Sequence, residues 1–233
     1  TPSNSSAASD VYKRQLEMIM PAVDDFFLDE VAEDEVEKVT SSLSLQKGAY
    51  ILAVGRLIQR KGFDILIKAF VRTRGQIGNL KLVIVGEGPE EKKLRKMVKN
   101  LNAEEAVVFA GNLSDDKLLP LYKGALFFAL TPRQIESDFE GFGIVYLEAA
   151  AQGKASLATN TGGVRGAVID KVTGVLVEPE SVDEAERAIL YMGSNTEEVF
   201  RLGKKADRRV REQFSWKTKA GVLEKALREI VSA

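Results

Sequence analysis

The chain reads as an α/β protein built on a doubly wound parallel sheet, and three features predict that class. Short apolar runs, Tyr50–Val54 and Lys81–Val85 among them, stop at a glycine, Gly55 and Gly86, as strands buried on both faces do. Segments with apolar residues at helical spacing separate these runs, the alternation of a doubly wound sheet. The glycine-rich and charged motifs fall where strands end, the edge at which such sheets hold ligands. The sequence has no internal repeat.

Taken in order, Thr1–Asp10 is nearly all Ser, Ala, Asn, Thr and Pro and joins abruptly to Val11-Tyr-Lys-Arg-Gln15. It lacks the apolar core of a secretory signal. Residues 1–15 are read as a non-native or disordered leader resembling a translated cloning scar, which would mean that the gene was cut upstream. Residues 16–48 are expected to hold a connecting segment, Met18–Phe27, and an acidic helical segment in which Asp29–Lys38 is a solvated face or linker. Residues 49–233 are expected to be the folded domain with its C-terminal helices. Strands are expected at 50–54, 81–85, 106–110, 126–130, 155–158 and 175–177. Helices are expected at 63–71, at 90–101 after Pro89, and at 113–122, 142–151, 182–192, 197–212 and 216–231.

A chain of 233 residues can bury a sizeable core, as one large or two small domains. Its net charge of −1 lacks the basic surplus of a phosphate-backbone binder, so no nucleic-acid partner is expected. With no cysteine and no histidine, these residues hold no disulfide framework, thiol nucleophile, Ser-His-Asp triad or His-ligated zinc. No apolar run approaches the roughly 18–20 residues that cross a bilayer. A cytoplasmic chain is expected, with peripheral attachment at the inner membrane face left open.

The most informative stretch is Glu140-Gly-Phe-Gly-Ile-Val-Tyr-Leu-Glu148. Gly141 and Gly143 let the backbone approach a ligand closely. The run from Phe142 has helix-forming composition, so its first free N–H groups make a site for phosphate. A glutamate before that helix and another inside it can accept hydrogen bonds from hydroxyls on either side of the phosphate. A sugar, a diphosphate and a ribose follow one another in that order in a nucleotide sugar.

This stretch resembles the paired-glutamate motif of the retaining, nucleotide-sugar-dependent glycosyltransferases (glycosyl transferases group 1), whose type members are sucrose synthases and bacterial mannosyltransferases. Val54-Gly-Arg-Leu57, Lys61-Gly62, Val85-Gly-Glu-Gly-Pro89, Phe109-Ala-Gly111 and Gly162-Gly163 carry the resemblance, in the family's order, from about Pro21 to Trp216. It implies a Rossmann-like domain that is one half of a two-domain GT-B enzyme, the donor-binding half. It also implies transfer of a hexose from GDP-mannose or a UDP-hexose to a saccharide or lipid-linked acceptor, without metal or other cofactor. The acceptor residues would lie on a missing N-terminal domain, leaving this chain poorly active alone. Two alternatives stand beside it: a nucleotide-sugar epimerase of the same architecture, and a non-catalytic nucleotide-sugar-binding module.

Residue roles follow from the same resemblance. Arg56 and Lys61 grip the diphosphate, one as a planar fork and the other as a mobile point charge. Glu140 contacts the donor sugar or lies near the reacting carbon, and Glu148 binds the ribose hydroxyls. Gly55, Gly86 and Gly88 border the nucleotide, while Phe142, Gly143 and Ile144 offer N–H groups to the phosphates, as do Gly162 and Gly163 to the donor. Where the family often has Pro-Glu this chain has Arg165-Gly166, so a sugar contact by that glutamate is not carried over. The segment Gln134–Phe139 resembles that of some bacterial mannosyltransferases, which puts GDP-mannose ahead of UDP-glucose. Without the resemblance, Arg56 and Lys61 read equally as two of 33 basic residues on a solvated surface, and Gly86-Glu-Gly88-Pro89 as a tight turn. Asp138-Phe-Glu140 has the look of an acidic metal motif, but no strand-flanked Asp-x-Asp accompanies it.

Overall fold

Six parallel strands form one sheet in the computed structural model, which describes residues 19–231. The leader expected at 1–15 and the start of the connection at Met18 lie outside the described residues. The strands are β1 (Tyr50–Val54), β2 (Lys81–Val85), β3 (Val107–Gly111), β4 (Phe127–Ala129), β5 (Ser156–Thr159) and β6 (Gly174–Val177), in the order β3-β2-β1-β4-β5-β6. β1 is buried at every position and pairs with β2 from Tyr50 opposite Lys81 to Val54 opposite Val85. The chain winds outward from β1 to β3, returns to place β4 beside β1, then winds outward again to β6. The two windings part between β1 and β4, and the carboxyl ends of the strands at such a switch point are where sheets of this kind hold ligands.

The helices are α1 (Glu33–Ser42), α2 (Phe63–Thr73), α3 (Glu91–Asn100), α4 (Asp115–Gly124), α5 (Ile144–Ala151), the single turn α6 (Val164–Ala167), α7 (Val182–Ser194), α8 (Thr196–Gln213) and α9 (Trp216–Val231). α2 packs with α3 and α7, α4 with α1 and α5, and α5 with α8. The acidic stretch expected as a solvated face or linker keeps Glu33, Asp34, Glu35 and Glu37 exposed. Val36 and Thr40 are nevertheless buried, beside Gly124 of α4, so α1 is a packed outer helix of the domain. The connection before it is fastened at two later points of the chain: Val23 N–H donates to Phe214 O at 2.8 Å, and Gln152 Nε2, at the end of α5, donates to Phe27 O at 2.7 Å.

α4 begins at Asp115 rather than 113, because Ser114 is extended (φ −71°, ψ 156°) and two aspartates follow it in the first turn. A larger correction falls on α5, which begins at Ile144 and not at Phe142. Gly143 sits at φ 83°, in the left-handed region, and a helix cannot run through it.

At the amino edge of the sheet, burial pushes the Lys154 ammonium down to about 8, with Lys123 and Lys47 pressing the same way and Glu33 opposing. A cation lowered in the folded state costs stability below its folded pKa, and that cost fades as pH rises towards the unfolded value near 10.4. Lys154→Met is therefore expected to stabilise the chain by about 1–3 kcal/mol at pH 7. The gain should shrink to near zero above about pH 10, as thermal melts at the two pH values will show. An equal gain at both would locate the effect in packing and not in charge.

Candidate functional site

The candidate site is built from four loops at the carboxyl ends of the strands, and backbone contact fixes their spacing. After β1, Gly55 N–H donates to Val85 O at 3.0 Å and Leu57 N–H to Glu87 O at 2.9 Å, so the first loop is sewn to the loop after β2. Gly86 and Gly88 let them touch: a Cβ at Gly86 would stand 2.1 Å from Gly55 O, and one at Gly88 2.5 Å from Leu57 O. These two glycines are thus packing positions as well as neighbours of the site. Gly55 lies beside the Lys61 stem, whose Cδ and Cε a Cβ there would meet at 3.8 Å.

Arg56 and Lys61 both leave this first loop, in different surroundings. Arg56 is exposed and pairs with no carboxylate among the described residues. Lys61 ends a short 3-10 turn, Gln59–Lys61, and is largely covered. Its Nζ donates to Oε2 of Glu140 at 2.6 Å. Arg60 Nη1 donates to that same oxygen at 3.0 Å. Glu140 is only 7% exposed, so its charge is held against two cations with little water between.

Glu148 stands on α5 and takes the hydroxyl of buried Tyr122, from α4, on its Oε2 at 2.7 Å. Burial pushes its carboxyl above the usual carboxylate range, while the Tyr122 hydrogen bond and the charge of Lys61 pull the other way. Lys61 and Glu140 are thus directly bonded, Glu148, on the helix that follows, is held separately by Tyr122, and Arg56 stands off both.

The N–H groups of Ile144 and Val145 precede the first closed turn of α5, Tyr146 N–H on Gly143 O at 3.0 Å, and have no partner inside the helix. Phe142 stands outside that start. Its ring is buried against Phe214, with centroids 5.7 Å apart, so its side chain belongs to the core. The expectation that Gly163 offers its N–H to a ligand is also corrected. That N–H donates to Glu140 O at 2.9 Å, and a Cβ at Gly163 would lie 1.8 Å from Gly141 O. Gly162 likewise abuts Glu140 O. The loop after β5 supports the glutamate loop from behind.

Sequence reasoning passed over Arg60 and Tyr122. The one signal for Arg60 was its place next to Lys61. For Tyr122 it was a tyrosine on the apolar face of α4, whose buried hydroxyl needs a partner. Arg133, buried after β4, was passed over as well. It pairs with Asp64 and Glu180, and its N–H donates to Arg60 O at 2.8 Å, tying the glutamate loop to the lysine loop.

Among known proteins, the glycosyl transferases group 1 family matches residues 34–209. The GDP-mannose-dependent alpha-(1-6)-phosphatidylinositol monomannoside mannosyltransferase of Mycobacterium tuberculosis is 33% identical over 217 residues, covering 91% of this chain and 56% of that protein. A glycogen synthase of the same organism is 33% identical over 172 residues, covering 74% of this chain and 40% of that one. The chain thus spans about half the length of the curated relatives it matches. Anabaena Alr3699/HepE, solved in complex with UDP and glucose, superposes with a TM-score of 0.78 at 23% identity over 89% of this chain and 55% of that one. The C-terminal domain of a glycosyl transferase group 1 family protein (LpcC) from Francisella tularensis does so at 0.71 and 21% identity, covering 82% of this chain and 98% of that domain. At these identities the two structures share the fold.

Proposed function

The chain belongs to the glycosyl transferases group 1 family, and on that premise we propose that it is the donor-binding half of a retaining glycosyltransferase. The donor is a nucleotide diphosphate hexose, GDP-mannose ahead of a UDP-hexose, and the acceptor a saccharide or lipid-linked sugar. The observation that carries this reading is at the carboxyl ends of the strands: Lys61 bonded to Glu140 at 2.6 Å, just before the start of α5, the helix on which Tyr122 holds Glu148. A diphosphate laid between the two carboxylates meets Lys61 there, exposed Arg56 at the rim, and the unpaired N–H groups at the start of α5.

In this reading the ribose hydroxyls reach Glu148, which Tyr122 holds by one oxygen, and the sugar reaches Glu140. The glycosidic carbon passes through an oxocarbenium-like transition state, and the departing diphosphate gathers charge against Arg56, Lys61 and the helix start. Acceptor residues come from a further domain, in keeping with the span of about half of the relatives. The relatives' names, mannosyltransferase and synthase, favour transfer over epimerisation. We place the reaction in the cytoplasm.

Calorimetric titration with GDP, UDP and ADP tests the donor site. One nucleotide is expected to bind saturably, and both Glu148→Ala and Arg56→Ala to weaken it at least tenfold, about 1.4 kcal/mol. If none of the three binds, the reading fails. Binding indifferent to both substitutions would move the site elsewhere.

A further inference from the structure

Arg60 plays no part in the reading above, yet it is the second cation on Glu140. It shares Oε2 with Lys61 at 3.0 and 2.6 Å, while Oε1 takes no hydrogen bond from any described residue. Its Nε lies 2.9 Å from Oδ1 of Asp138, at ion-pair distance but off the N–H direction. Its carbonyl is fixed by Arg133 N–H at 2.8 Å, and Arg133 is itself buried between Asp64 and Glu180. Arg60 is therefore tied at three residues, Asp138, Glu140 and Arg133, to the loop after β4. Among the described residues Lys61 is held at its tip by Glu140 alone, on a flexible stem running past Gly55.

This asymmetry matters when a diphosphate competes for Lys61. If Lys61 were the only partner, its departure would strand a buried carboxylate, which is heavily penalised. With Arg60 remaining, Glu140 keeps a charge-assisted bond. We propose that Arg60 is a positioning residue, the standing counter-ion of Glu140, which holds that carboxylate in place and releases Lys61 to the donor's diphosphate. The inference rests on the donor-binding reading and names a residue that this reading does not use.

The test is calorimetric titration of this chain with GDP and with UDP, with thermal melts taken alongside. Arg60→Met leaves Glu140 to Lys61 alone and should weaken diphosphate binding about fivefold. Arg60→Lys, which keeps a cation within reach, should recover most of that loss. Glu140→Gln removes the competitor for Lys61 and should tighten binding about threefold. On the Glu140→Gln background, Arg60→Met should change affinity less than about twofold, since Arg60 acts only through that carboxylate. Equal weakening in both backgrounds would mean that Arg60 touches the phosphate itself, and the inference falls. It also falls if neither Arg60→Met nor Glu140→Gln alters affinity while Arg56→Ala still weakens it, a result that leaves the donor site standing. Wild-type chain that binds neither diphosphate removes both. Should Arg60→Met unfold at the titration temperature, the Glu140→Gln tightening and the Arg60→Lys affinity decide.

Discussion

Gly62→Ala is expected to cost about 3–5 kcal/mol of stability, a fall of roughly 10 °C in melting temperature. Gly62 sits at φ 70°, ψ 22° as the cap of α2, and that conformation alone costs an alanine about 1–2 kcal/mol. The added Cβ would also stand 1.8 Å from Thr131 O and 2.7 Å from its carbonyl carbon. Thr131 has no room to yield: it is fully buried, it follows β4, and its own Oγ1 donates to Gly62 O at 2.7 Å. The contact joins the turn that carries Lys61 to the loop that carries Glu140, so its loss would also spread the site. Gly221→Ala on α9, where a Cβ meets nothing and φ is not positive, is the control, expected neutral or stabilising by up to about 1 kcal/mol. Urea denaturation of the two variants compares them. A loss below about 1 kcal/mol at Gly62 would mean that the two loops are not in the contact described.

The same loops show what the sequence could and could not reveal. The runs 50–54 and 81–85 were legible to the residue because every position of β1 is buried and a glycine ends each run. The start of α5 was not, since composition cannot register that Gly143 is left-handed, a conformation in which a Cβ would meet the Tyr146 ring at 2.6 Å. Glu140 and Lys61 were legible as candidates because each stands directly before a glycine at a loop-to-helix junction, and Glu148 because it ends the same nine-residue motif that Glu140 begins. Their partners were hidden by distance along the chain. Arg60 is 80 positions from Glu140, and Tyr122 is 26 from Glu148. The packed side of α1 rests on Val36 and Thr40 within a run of acids, too slight a signal to separate a packed helix from a solvated one. Local patterns report which residues are buried. Which loop meets which is decided by the sheet order.

Glu140→Gln is expected to lower the rate of sugar transfer by about 10²–10³-fold without weakening nucleotide binding. Glutamine keeps the shape and an acceptor oxygen for Arg60 and Lys61, so the substitution removes the charge and little else. In the proposed reaction that charge faces a carbon turning cationic, where its effect is largest in the transition state and small in the bound donor. The loss should therefore fall on kcat. Glu148→Gln makes the contrast: Tyr122 still has an acceptor and the ribose loses a charged partner, which should raise KM for the donor more than it lowers kcat. Release of nucleoside diphosphate from GDP-mannose and UDP-glucose, followed in a polypeptide carrying both halves of the cleft with an acceptor present, separates the two patterns. If Glu140→Gln kept kcat within about threefold of wild type, Glu140 would be a strut for Lys61 and the loop after β4, and the charge acting on the sugar would have to come from another residue.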